Sequence, residues 1–221
     1  MFQQLFGAGK GSTLVAAAFE DVSTMLQQSA KMLDHSLAAL LDNQELQVDL
    51  DDMDDVVDEG ERMVRRTILQ HLSVNPRQDL VASLILVSMV QDAERIGDFS
   101  RGLGELVSLA KSPREGIFAD DLKALATRLR PMFEVCEQAF RRDDSEQASR
   151  VIIEHAGLKK ALIDYTKRVA KSDLSADMAI VYASAARILR RVSAHLSNIA
   201  STVVQPYDRI RHGDEDLSAN T

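Results

Sequence analysis

The chain has 221 residues, carries 26 Lys and Arg against 34 Asp and Glu for a formal net charge of −8, and contains one cysteine, Cys136. The acidic balance argues against nucleic acid as a partner, although it leaves room for a local basic patch. The lone cysteine excludes an intrachain disulfide and a Cys-based zinc site, fits a reducing compartment, and reads as a core residue because it sits on an apolar stripe.

Residues 1–11 read as a flexible leader. Its Gly7-Ala8-Gly9-Lys10-Gly11-Ser12-Thr13 stretch glances at a phosphate-binding loop, but Gly11 follows the Lys where Ser or Thr is needed and no strand precedes it. Ser12 or Thr13 is the expected helix cap. Neither a signal peptide in Met1–Lys10 nor a membrane-length apolar run is apparent, so the expected location is the cytoplasm, with any membrane attachment made through protein partners.

From Thr13 to about Asn43, apolar residues such as Val22, Leu26, Leu33, Leu37 and Leu40 recur at three- and four-residue steps, which predicts a first helix. A second stripe through Leu46, Leu50, Met53, Val57, Val64, Ile68 and Leu72 predicts another helix, closed before Asn75-Pro76 because Pro cannot continue the ladder. The third is expected from Gln78 to Lys111, with Ile85, Met89, Ile96, Phe99 and Leu103 on one face and Leu84, Val87 and Val90 widening it. Ser112-Pro113-Arg114-Glu115-Gly116 is the strongest linker signal in the chain.

The pattern then starts again. A fourth helix is expected over Ala119–Arg141 with Pro131 kinking or dividing it, a fifth over Ser145–Lys171 capped by Asp144 or Ser145, and a sixth over Ser175–Gln205 closed by Pro206. The prediction is therefore an all-α protein of two tandem three-helix bundles: residues 12–112, a linker at 113–118, residues 119–208, and a polar tail at 209–221.

Charge is densest between Asp49 and Glu61. Such a run normally solvates a helix face, but Asp51, Asp54, Asp58 and Glu61 fall on one flank of the apolar stripe, where a neighbouring helix would lie. On the third helix Glu94 and Asp98 are one turn apart and share a face. Facing carboxylates on adjacent helices are how bundle proteins hold cations, and crowded like charges are relieved by one. Gly97, costly inside a helix, points to a close approach there.

Asp79-Leu80 at a helix start, followed by Glu94-Arg95-Ile96-Gly97-Asp98, resembles the PhoU family of bacterial phosphate-uptake regulators over roughly residues 12–208. That resemblance implies a metal site formed by Asp51, Asp54, Asp58, Glu94 and Asp98, taking Fe, Zn, Mg or Mn. It further implies a non-enzymatic regulator that binds a membrane phosphate or ion transporter and a sensor kinase, with a homodimer left open. Asp79, Arg95, Gly97, Arg191 and Asn198 carry the motif, Arg95 and Arg191 being expected to brace the bundles by charge pairing.

The second repeat departs from the pattern. Arg190-Arg191-Val192-Ser193-Ala194 stands against Glu94–Asp98, so both expected carboxylates are replaced, and Glu154–Lys159 stands where the second helix has its Asp run. The second site reads as lost. His35, His71, His155, His195 and His212 have no partner at ligand spacing and read as surface or core residues. No Ser-His-Asp or Cys-His arrangement is apparent. A di-metal carboxylate enzyme or metal-storage bundle is the rival reading, weakened by the absence of Glu-x-x-His motifs.

Overall fold

The computed structural model describes residues 13–210, with side chains from residue 16 onward. The leader, its Ser12 cap and most of the expected tail, with His212, lie outside the described residues. Six long helices run in chain order: α1 Thr13–Leu41, α2 Leu50–Val74, α3 Leu80–Glu105, α4 Ile117–Arg142, α5 Ser145–Val169 and α6 Ala176–Val204. Short 3-10 turns follow α3 at Leu106–Leu109 and α6 at Tyr207–Arg209, and no strand occurs among the described residues.

Each helix buries most of the stripe its sequence displays, although Leu84, expected to widen that of α3, is exposed. Val57, Val64 and Ile68 of α2 are buried, as are Leu122, Leu129, Phe133 and Cys136 of α4. The two middle helices start alike, because the side chains of Asp49 and Asp144 each accept two backbone N–H bonds from the first turn. Asp79, which precedes α3, adopts a left-handed conformation at φ 53° and gives no side-chain cap. Its carboxylate instead lies 3.6 Å from buried His71 Nε2, itself 3.0 Å from the Gln78 carbonyl, so the α2–α3 turn is held by side chains.

Pro131 neither divides α4 nor ends it. It sits on the exposed side of the helix, where the Thr127 carbonyl that loses its helical donor can turn to water. The third helix also ends earlier than its apolar pattern implies, tightening into a 3-10 turn from Leu106.

Helices α1, α2 and α3 pack together as one bundle, and α4, α5 and α6 as a second. The bundles lie side by side, α3 against α6 and α1 against α4, and their buried residues form one connected core. The linker is tied down: buried Arg114 donates to the Leu40 and Ala39 carbonyls, both at 2.7 Å, satisfying acceptors at the end of α1. Asn43 closes the same corner, accepting from the Arg114 N–H at 2.9 Å and donating to the Arg114 carbonyl at 3.2 Å.

Candidate functional site: an acidic face between two glycine-spaced helices

The close approach of α2 to α3 depends on glycine. A Cβ at Gly97 would stand 3.2 Å from both Asp54 Oδ1 and Val57 Cγ1, and one at Gly104 would fall 2.3 Å from Leu50 Cδ1. These two residues, one heptad apart on α3, let the acidic flank of α2 lie against the carboxylates of α3.

Asp54, Asp58, Glu61, Glu94 and Asp98 share this seam and feel one another's charge. Glu94 is pushed up from the ordinary 4.5 to about 7, by burial first and then by Asp98, with Glu61 and Asp58 adding to it against the opposing pull of Arg95. Burial also raises Asp54, with Asp98 and Asp58 working in the same direction and Arg101 against it. Crowded carboxylates raise one another's hold on a proton, and Glu94 bears most of that effect.

Two arginines hold part of that charge. Arg95 lies 2.7 Å from Asp98 and 3.4 Å from Glu94, pairing along its own helix. Arg101 spans the seam, its Nε 2.9 Å from Asp54 and its Nη1 3.2 Å from Asp51 and 3.0 Å from Glu105. The Asp51 side chain is 81% exposed and stands at the edge of the group. Among the described residues, no three carboxylate, histidine or cysteine side chains converge closely enough to hold a metal as they stand.

The seam between the bundles is also polar. Asp92, buried on α3, accepts from Asn198 Nδ2 at 3.0 Å and pairs with His195 Nδ1 at 2.8 Å, both on α6. The His195 ring stacks on Phe99 at 5.6 Å, and the Arg191 guanidinium lies over the Phe99 ring at 5.3 Å. Arg191 thus braces the molecule across the repeats by a cation–π contact, in place of the expected charge pairing. Asn198 of the expected motif acts here too, at the repeat junction.

Other expected residues take structural places. Cys136 is fully buried, donates weakly to the Leu196 carbonyl, and has its thiol held well above the usual range by burial, so it is no nucleophile. His155 is buried with Nδ1 2.9 Å from Ser193 Oγ, and His35 is exposed.

Three contributors escape sequence reasoning. Arg101 lies seven residues after Glu94 and so on the same face, a signal that was present in the spacing. Asp92 interrupts an apolar stripe, but its partners are more than a hundred positions away, and Arg114 sits in a linker whose composition implies only a turn.

Comparison with known proteins agrees with this architecture. The PhoU domain family model matches residues 22–107, the span of the first bundle. A curated relative from Thermotoga maritima, the phosphate-specific transport system accessory protein PhoU homolog 1, is 28% identical over 195 residues covering 83% of each chain. In fold the chain is similar to the phosphate transport system regulatory protein PhoU from Streptococcus pneumoniae, with a TM-score of 0.78 at 18% identity, covering 86% of this chain and 93% of that one. It is equally similar to PhoU from Pseudomonas aeruginosa, with a TM-score of 0.77 at 20% identity and coverage of 86% and 95%. The chain is thus similar to PhoU proteins, in sequence over most of its first bundle and in fold along most of its length.

Proposed function

We propose that this protein regulates phosphate transport without catalysing a reaction, by docking in the cytoplasm onto a membrane transporter or a sensor kinase. The observation that carries the reading is the acidic α2–α3 face, which lies inside the span matched by the PhoU domain. The Thermotoga relative supports the phosphate-transport part, since that protein is an accessory of a phosphate-specific transport system. Exposed acids such as Asp51, Asp52, Asp55 and Glu59 suit the basic cytoplasmic loops that membrane proteins present.

The same face is proposed to bind one metal ion through Asp51, Asp54, Asp58, Glu94 and Asp98. Their all-oxygen chemistry suits a hard cation such as Mg, Mn or ferric iron better than zinc, and the raised Glu94 marks the repulsion a cation would relieve. Arg95 and Arg101 would have to yield their carboxylates to it. When bound, the ion neutralises the face and fixes its shape; it has no catalytic step to perform in this reading.

The direct test compares a deletion strain with its parent for phosphate uptake and for a phosphate-responsive reporter. Both should change, and a variant carrying Asp51→Lys with Asp58→Lys should fail to restore them. Identical behaviour of deletion and parent would overturn the proposal, as would substrate turnover by the purified protein.

A further inference from the structure

The second repeat does more than lose a site. Its α6 places Arg190 where α3 has Glu94, and Arg187 lies one turn earlier on the same face. Both line a groove of about 420 Å³ between α5 and α6, together with Lys167 and Ser184. Buried Leu162 and Ala186 form part of its apolar floor, and no carboxylate lines it. Lys167 is paired with Asp164 at 3.0 Å, whereas neither Arg187 nor Arg190 has an ion pair among the described residues.

Two guanidinium groups one helical turn apart repel each other, just as the carboxylates of the first repeat do, and an anion of matching geometry would relieve them. The planar guanidinium fork fits the tetrahedral oxygens of a phosphoryl group, with the Ser184 hydroxyl as a further donor. A bare phosphate would fill only part of such a volume, and the apolar floor can take an organic portion of the ligand.

We propose that the α5–α6 groove is a phosphoryl-anion site, with Arg190 standing at the place that Glu94 holds in the first repeat. Arg187 and Arg190 hold the phosphoryl oxygens, and the floor around Leu162 accepts an organic group attached to them. This site does not depend on the regulatory reading above, because it rests on the groove's own charge and shape.

Titration calorimetry on the full chain tests it, with sodium ATP and sodium phosphate as separate probes, EDTA present to keep cations off the acidic seam, and sodium chloride at equal ionic strength as the baseline. Binding of ATP alone assigns the site to an organophosphate, and equal binding of inorganic phosphate assigns it to the free ion; either result supports a phosphoryl site. The exposed Arg187→Gln change, alone and with Arg190→Gln, should weaken binding by about tenfold or more. Arg66→Gln with Arg77→Gln, on exposed residues of the first repeat, should leave it unchanged. Heat no greater than the chloride baseline at about 1 mM of either probe, or equal affinity in wild type and Arg187→Gln, would overturn the proposal.

Discussion

His195 Nδ1 lies 2.8 Å from Asp92 Oδ1, joining α6 of the second repeat to α3 of the first through a carboxylate that is 2% exposed. A buried charge of this kind is retained only where partners satisfy it, and Asn198 supplies the second. The repeats are thus matched to each other by a specific polar contact as well as by apolar packing.

Removing that carboxylate should cost more than removing any exposed ion pair of the molecule. Asp92→Ala leaves two half-buried groups on α6, His195 Nδ1 and Asn198 Nδ2, without their shared partner, and the expected loss is about 1–3 kcal/mol in urea unfolding. By contrast Glu20→Ala, which breaks an exposed pair with Arg141, should cost about 1 kcal/mol or less. Asp92→Ala combined with His195→Ala should cost less than the sum of the two single changes, because they remove one shared contact. Strict additivity would show that the pair does not act as a unit.

The raised Glu94 makes stability depend on pH in a defined direction. Its folded pKa of about 7 exceeds the 4.5 expected when unfolded, so between these values the folded chain binds more protons than the unfolded one. This group's contribution is full below about pH 4.5 and declines as pH rises toward 7. Glu94→Gln should flatten that decline and melt higher than wild type at pH 8 in EDTA. A melting curve for the variant with the same slope between pH 5 and 7 as wild type would contradict it.

Metal should reverse the effect. Cation binding to the native state raises its melting temperature by mass action, so wild type loaded with Mn or ferric iron should melt above the chelated protein. Glu94→Gln with Asp98→Asn should abolish the difference, while Ala194→Ser leaves it intact. Equal metal content in wild type and double variant after dialysis would remove the site from consideration.

Glycines on α3 should respond to alanine with opposite signs. Nothing lies within 4 Å of a Cβ built at Gly102, so Gly102→Ala should gain up to about 1 kcal/mol from helix propensity alone. Gly104→Ala pushes into buried Leu50 and should lose about 1–3 kcal/mol despite the same propensity gain. Chemical denaturation of the two variants side by side reads the contrast.

The helices were legible because their stripes are long and regular, and Asp144 marked where the fifth starts; the matching cap at Asp49 was hidden inside the acidic run. Glu94, Asp98 and Gly97 were legible as a group, since spacing alone puts them on one face and the glycine marks a close neighbour. What spacing cannot provide is the pairing of α3 with α6, and with it the reason for an acid at 92 inside an apolar stripe. Pro131 does not divide its helix, because an exposed position lets water take the place of one missing donor.

Arg114 bears on how far the two bundles can be taken apart. It belongs to the connecting segment by position, yet its guanidinium closes the last carbonyls of α1 and is itself buried. A fragment ending before it would leave those acceptors bare, and would also strip α3 of the apolar cover that α6 provides. Each bundle therefore leans on the other and on the segment that joins them, and the tether by position is a cornerstone by contact.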